Sequence, residues 1–116
     1  MLRPSVVQIS TQRAGVGTAN QPIPLGVGTG IILDLGGNIL TNLHVIEGSQ
    51  LVLVTLHTGE SLEASPVGGD LRTDTAVIKI EADGLQPAVL GDSAALRVGE
   101  DVIAIGHAGA SLEAPA

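Results

Sequence analysis

Two short stretches, TNLHV (residues 41–45) and RTDTA (residues 72–76), decide the fold and the chemistry predicted for this chain. The first places His44 just after an apolar strand. The second places Asp74 at the start of the β-branched run AVIKI (residues 76–80). A histidine and an aspartate at strand ends can meet across a folded sheet although they are far apart in the chain. Such a pair would be two members of a hydrolytic triad, in which the carboxylate fixes the imidazole tautomer and stabilises the imidazolium that forms.

The composition indicates a single β-rich domain with an aliphatic core. The chain has 116 residues, 44% of them hydrophobic, yet it contains no Phe, Tyr or Trp. That length is sufficient for one domain that buries a core of its own. Sixteen glycines and many β-branched residues favour short strands joined by tight turns over long helices. There is no cysteine, which removes disulfides and thiolate chemistry.

The charge balance argues against nucleic acid as a partner. The formal net charge is −7, and the basic residues are scattered along the chain: Arg3, Arg13, Arg72, Lys79 and Arg97. A nucleic-acid site needs a clustered positive surface, so we expect no nucleic-acid partner. No apolar stretch approaches the ~18 residues of a membrane helix, and the N-terminus lacks the apolar core of a signal peptide. We therefore expect no membrane contact from this segment.

The alternation of apolar and polar residues predicts six or seven short strands and no helix long enough for a βαβ crossover. Such a pattern is typical of an all-β fold, either a small barrel or a sandwich, and a closed barrel removes exposed strand edges best. One helical turn is expected at 43–47, a loop at 12–25 and a turn at 68–70, with Pro66 indicating an edge or a bulge. The predicted strands cover residues 5–11, 27–34, 39–41, 51–57, 62–67 and 75–81, with further short runs at 88–90 and 100–105.

Two other patterns carry less weight. The glycines of GVGTG (residues 26–30) evoke a phosphate-binding loop, but they open a strand and no helix N-terminus follows them to hold an anion. His44, His57 and His107 lack the paired spacing of metal ligands, so we expect no metal and no cofactor. Taken alone, a histidine such as His44 is more often structural than catalytic, and an aspartate before a strand is more often a turn or cap residue.

Taken together, however, several motifs in the same order resemble the trypsin-like serine proteases of the HtrA/Deg family. The resemblance runs from about residue 5 to residue 106 and implies a six-stranded antiparallel β-barrel, the N-terminal half of a trypsin-like double barrel. The expected domain is residues 1–116, with tails at 1–4 and 107–116. The motifs are GTGII (28–32), GNILTNLHV (37–45), DLRTDTAVIKI (70–80), LGDS (90–93), LRVGE (96–100) and AIG (104–106).

By that resemblance, His44 matches the general base and Asp74 the carboxylate that orients it. In the family the nucleophilic serine lies on the second barrel, and this chain stops at Ala116, about where that barrel would begin. Ser93, in GDSAA (residues 91–95), is followed by alanines where oxyanion-hole geometry favours glycines. We therefore expect the chain to lack the nucleophile and to be inactive alone as a serine endopeptidase.

Two functions stay open at this point. The chain can be the N-terminal half of an HtrA/Deg-like serine endopeptidase whose substrates are unfolded or peptide-like proteins. Alternatively, it can be a non-catalytic, self-associating or protein-binding module, because the face meant for the second barrel is expected to be apolar and another copy could cover it. A homo-oligomer is expected, and a catalytically dead homologue used for binding is a third hypothesis. The resemblance alone suggests an extracytoplasmic location in the periplasm or cell envelope.

Overall fold

Six antiparallel strands close into a barrel in the computed structural model, which describes residues 3–13 and 23–106. The order around the barrel is β1-β2-β3-β6-β5-β4. The predicted all-β, six-stranded antiparallel barrel is confirmed, and the sandwich is excluded. The strands are β1 (Val6–Arg13), β2 (Ile23–Ile32), β3 (Asn38–Asn42), β4 (Leu51–Thr55), β5 (Ser61–Asp70) and β6 (Thr75–Lys79).

Among the residues that the structure describes, helical structure is confined to short turns. A four-residue helix, α1 (Leu43–Ile46), follows β3 directly, and single 3-10 turns lie at Arg3–Ser5 and Ser93–Ala95. No helix within the described ranges is long and apolar enough to cross a membrane. Because β3 ends where α1 begins, the chain leaves the sheet abruptly at Asn42.

Aliphatic side chains fill most of the barrel interior, and Thr11 and Thr41 are buried with them. Alternate residues of each strand point inward, as the period of a β-strand requires. Each branched side chain buried in this way stabilises the fold by roughly 1.5–3 kcal/mol relative to exposure. Many small aliphatic side chains thus fill the space that aromatic side chains would otherwise occupy. The most deeply buried of them are Val7, Ile9, Ile32, Ile39, Val54, Ile78 and Ile80.

Gly30 makes room for the centre of this core. A Cβ atom there would lie 2.6 Å from Cγ2 of Ile39 and 2.8 Å from Cδ1 of Ile9. Both distances are shorter than carbon atoms tolerate, so the missing side chain leaves room for the two isoleucines of the neighbouring strands β1 and β3. Gly30 of the GTGII motif is therefore required by the packing of the core.

The predicted turn at 68–70 is wrong. These residues belong to the end of β5, where Gly68, Gly69 and Asp70 pair with Val77, Ala76 and Thr75 of β6. Pairing with β6 outweighs the local preference of two glycines for a turn. The irregularity predicted near Pro66 is confirmed, since the register shifts between Pro66 and Gly68.

The predicted loop at 12–25 is too long at both ends. Gln12 and Arg13 complete β1, and residues 23–25 begin β2. The register between these strands shifts after Thr11, so the pairing continues through an irregularity that the sequence pattern did not show. The middle of the predicted loop, 14–22, lies outside the described residues.

The strands predicted at 88–90 and 100–105 do not form, and both segments are irregular. In the closed barrel every strand already has two neighbours, so no edge is free to pair with a further strand. The consequence is exposure of apolar side chains: Val89 is 92% exposed and Ile103 85%. A single backbone bond, from the Ala88 N–H to the carbonyl of Ile32 (2.9 Å), ties the start of this region to the barrel.

We predict that Gly30→Ala destabilises the barrel by about 1–3 kcal/mol, because the added methyl group overpacks a filled core. Gly68→Ala is the matched control, since a Cβ atom there would have no neighbour within 4 Å. Urea unfolding followed by far-ultraviolet circular dichroism measures both changes, and the absence of aromatic residues rules out intrinsic fluorescence. Equal losses in the two variants would contradict the packing role of Gly30.

Candidate active site

His44 lies at the barrel rim because α1 packs closely against β2. A Cβ atom on Gly28 would lie 2.7 Å from both Cγ atoms of Val45, so only glycine allows the helix to approach the strand this far. Val45 faces the barrel. The neighbouring His44 is left at the surface, where 70% of its side chain is exposed. The imidazole is therefore held on a fixed support but remains open to approach from outside.

Asp74 reaches the same rim through the pairing of β3 with β6. In that pairing Asn42 lies opposite Thr75, so the residue before β6 sits beside the start of α1. Asp74 adopts a left-handed backbone conformation, with φ of 54°. Aspartate enters this region more readily than most residues, yet the conformation costs on the order of 1–3 kcal/mol and needs surrounding contacts to hold it.

Four hydrogen bonds connect Asp74 to the three residues at the β3–α1 junction. Its carboxylate Oδ2 lies 2.5 Å from Nδ1 of the His44 ring, and its Oδ1 accepts the His44 backbone N–H at 2.8 Å. Its backbone carbonyl accepts the N–H of Leu43 at 3.1 Å and Nδ2 of Asn42 at 3.2 Å. Asp74 thus holds the ring and the backbone of the same histidine.

This geometry sets the chemistry of the imidazole. An ionised carboxylate can only accept hydrogen bonds, so in the neutral ring the proton is on Nδ1, where it is donated to Asp74. Nε2 is then the basic nitrogen. The hydrogen bond from the His44 side chain, followed by the one from its backbone N–H, lowers the pKa of Asp74 below the ordinary value. The site therefore combines an anion with a proton acceptor aimed away from it.

The connection between β5 and β6 is itself organised by Asp70. Its Oδ1 accepts the Arg72 N–H at 3.0 Å, and its Oδ2 accepts the Thr73 hydroxyl at 3.2 Å. The Thr73 hydroxyl also lies 2.8 Å from that of Thr75. Sequence analysis missed Asp70, although an aspartate followed closely by polar residues is a known signal for a turn closed by its own side chain.

The described serines do not complete this site. None of them is hydrogen-bonded to His44: the Ser49 hydroxyl donates to the carbonyl of Ile46, and that of Ser61 pairs with Thr55. Ser93 begins a 3-10 turn that is capped by Asp92, whose carboxylate accepts the Ala94 N–H at 3.0 Å. The structure thus brings His44 and Asp74 together, and it gives Ser93 a local turn as its setting.

The histidines weighed as metal ligands do not form a cluster in the part of the chain that the structure describes. Across residues 3–13 and 23–106, no three His, Cys, Asp or Glu side chains are close enough together to hold a metal ion. His57 lies in the exposed connection after β4. His107 falls outside the described residues. Within the described residues, the candidate site therefore consists of His44 and Asp74 with their hydrogen-bond partners.

Comparison with known sequences identifies the protein class to which this six-stranded barrel belongs. The family model described as "Trypsin-like peptidase domain" matches residues 28–115, well over half of the chain. The chain therefore belongs to the trypsin-like peptidases. Its relatives narrow the assignment to the HtrA/Deg group, the family that the sequence motifs indicated.

Two of these relatives are informative. The chain is 49% identical over 80 residues to "Probable periplasmic serine endoprotease DegP-like" from Halomonas elongata, which covers 69% of this chain and 17% of the relative. It is 46% identical over 86 residues to "Putative serine protease HhoB" from Synechocystis sp., which covers 74% of this chain and 21% of the relative. The matched part therefore spans about a fifth of the length of these curated relatives.

We predict that His44→Ala raises the pKa of Asp74 toward the ordinary aspartate value. The substitution removes the side-chain hydrogen bond that contributes most to lowering this pKa. A carboxyl-detected NMR titration measures this change. Asp34 is the internal reference, since hydrogen bonds from Asn38 lower its pKa at the opposite end of β3. An unchanged Asp74 pKa, or an equal rise at Asp34, would contradict the assigned cause.

The same substitution should change how stability depends on pH. A carboxyl group whose pKa is lowered in the folded state stabilises the fold above its unfolded pKa, and this contribution is lost as the pH falls through the folded pKa. Wild-type stability should therefore decrease on acidification below about pH 4 more steeply than that of His44→Ala. Urea unfolding at a series of pH values checks the slope.

Proposed function

We propose that this chain supplies the general base and its orienting carboxylate to a serine endopeptidase. The main support for the proposal is that the Asp74 carboxylate is hydrogen-bonded to His44 twice, at the ring Nδ1 and at the backbone N–H. Membership of the trypsin-like peptidase family supports it, as do relatives named as serine proteases. In this proposal His44 and Asp74 are the catalytic residues.

The proposed mechanism follows from the protonation state of the ring. Nε2 of His44 takes the proton of a serine hydroxyl as that oxygen attacks a peptide carbonyl, and it later gives the proton to the leaving amine. Asp74 stays ionised throughout and stabilises the imidazolium, a role supported by its lowered pKa. Polypeptides are the proposed substrates, because a curated relative carries the name endoprotease.

The nucleophile and the oxyanion-hole donors are proposed to come from outside these 116 residues. The described serines are not bonded to His44, and Ser93 lies in a capped turn followed by alanines. The exposure of His44 supports approach of another part of the enzyme from the solvent side. A relative named periplasmic supports an extracytoplasmic location for the proposed enzyme.

A chimera tests the catalytic roles. Residues 3–106 of this chain, which contain all six strands, replace the corresponding segment of the Halomonas elongata relative, and hydrolysis of a reduced, alkylated protein is measured. We expect activity that falls by about 10⁴-fold in kcat with Asp74→Asn, and at least as far with His44→Ala. His57→Ala is the control because His57 is exposed and belongs to no described cluster.

The isolated chain provides the complementary measurement. It should show no hydrolysis that depends on His44, because the proposed nucleophile is elsewhere. A chimera that remains fully active with His44→Ala would contradict the general-base role. Hydrolysis by the isolated chain that disappears with His44→Ala would contradict only the placement of the nucleophile.

A second candidate function, self-association, is favoured by one surface. A cavity of about 480 Å³ lies between the outer side of the barrel and the irregular segment after β6. Much of its lining is apolar, and its lining residue Ile103 is 85% exposed. We define the outer apolar face by its lining residues Val6, Ile31, Leu40, Val89, Ile103 and Ile105. In the protease proposal this face would pack against the remainder of the enzyme, whereas in this alternative a second copy covers it.

We predict that the isolated chain forms dimers that Ile103→Asp weakens, because the new carboxylate would be buried in the interface. Leu35→Asp is the matched control: Leu35 is also highly exposed, at 73%, but lies in the β2–β3 turn away from the outer apolar face. Both variants add the same charge. Light scattering over a concentration series measures the mass. A monomer throughout, or equal effects of the two variants, would contradict self-association through this face.

A further inference from the structure

Asn42 has an unusual role at the start of α1. It occupies the N-cap position, where an asparagine side chain ordinarily accepts a hydrogen bond from an N–H in the first turn of the helix. Here its side chain makes no such bond. Instead, its Nδ2 donates to the backbone carbonyl of Asp74, 32 residues away, at 3.2 Å. The Asn42 amide thus bonds to the residue before β6 and not to its own helix.

The capping bond that Asn42 does not make is made by Asp74. The N–H of His44, the second residue of α1, is one of those that an N-cap side chain would accept. In this structure it donates to Oδ1 of Asp74 at 2.8 Å. If the side-chain oxygen of Asn42 took this N–H, Asp74 would lose one of the two bonds that connect it to His44.

We propose that Asn42 is a positioning residue for the His44–Asp74 pair: it holds the Asp74 carbonyl and leaves the His44 N–H to the Asp74 carboxylate. This inference rests on the proposed catalytic function of that pair. Asn42 contacts no reacting atom and acts through Asp74 alone. Sequence analysis could not find this role, because nothing local connects Asn42 with a residue 32 positions away.

The left-handed conformation of Asp74 explains why such a hold is needed. A non-glycine residue persists at φ of 54° only where its surroundings determine the backbone on both sides. Asp70 organises the residues before Asp74, through its bonds to Arg72 and Thr73. At the junction of β3 and α1, the Asn42 amide and the Leu43 N–H donate hydrogen bonds to the Asp74 carbonyl. The backbone is therefore fixed by hydrogen bonds both before Asp74 and at the Asp74 carbonyl.

The chemistry of the side chain specifies asparagine. A carbonyl oxygen requires a donor, and an amide supplies one without charge. An aspartate at the same position has the same shape, but it has only acceptor oxygens when ionised. It would repel the Asp74 carbonyl and compete for the His44 N–H that Asp74 now accepts. Asn42→Asp therefore reverses the hydrogen bonding with almost no change in volume.

The test uses the complete 116-residue chain and NMR signals of His44. With Asn42→Asp, we expect the neutral ring to shift from the Nδ1–H toward the Nε2–H tautomer, seen in the ring ¹⁵N shifts. The amide ¹H shift of His44 should move as well, because its N–H exchanges the Asp74 carboxylate for the carboxylate at position 42 as its acceptor. Asn42→Ala, which removes the donor without adding a competitor, should give a smaller change in the same direction and remains informative if the aspartate variant fails to fold.

Asn38 provides the matched control. It lies at the other end of β3, and its Nδ2 also donates to an aspartate, Oδ2 of Asp34, at 2.9 Å. Asn38→Ala and Asn38→Asp should leave the His44 signals unchanged. His44 signals that stay unchanged in both Asn42 variants, or that change equally in the Asn38 variants, would overturn the inference, since a role in strand stability alone does not move a ring tautomer.

Activity in the chimera separates this inference from the proposed function. Asn42→Asp should lower kcat more than it raises KM, because Asn42 acts through its hydrogen bond to the Asp74 carbonyl. A chimera indifferent to His44→Ala would overturn the catalytic proposal. The NMR result on the isolated chain would still decide whether Asn42 positions Asp74.

Discussion

The antiparallel pairing of β3 with β6 is the constraint on which the site depends. It places Thr41 opposite Ala76 and Asn42 opposite Thr75, so the end of one strand and the start of the other share one rim. Because side chains alternate along a strand, a slip of one residue would turn either Ile39 or Ile78 outward, depending on which strand slipped. The hydrophobic core therefore fixes the register, and the register fixes the distance between His44 and Asp74.

The site is exposed, but it is not loose. Asp74 holds four donors from three consecutive residues, and the close approach of Val45 to Gly28 fixes the helix that carries His44. An imidazole and a carboxylate in water would lose most of their preference for one geometry to thermal motion. Here the packed barrel has already restricted both partners, so the hydrogen bond between them costs little further ordering.

The segment after β6 contains a strand-like sequence that does not pair with the barrel. Residues 100–105 have the composition of a strand, yet all six strands of the barrel already have neighbours. Side chains such as Val102 and Ile103 consequently face solvent, and Ile103 is part of the outer apolar face. This is the physical basis shared by the two functional proposals, since both require that face to be covered.

The sequence alone determined the fold class, the six-stranded barrel and the two residues of the candidate site, because aliphatic alternation and family motifs are local properties of the chain. It misassigned Gly68–Asp70 and residues 100–105, since whether a segment forms a strand depends on a neighbour to pair with. Only the tertiary structure decided that Asp74 holds both the ring and the backbone of His44, and that Asn42 gives its amide to Asp74. Those contacts join residues about 30 positions apart, and their geometry arises only when the barrel closes.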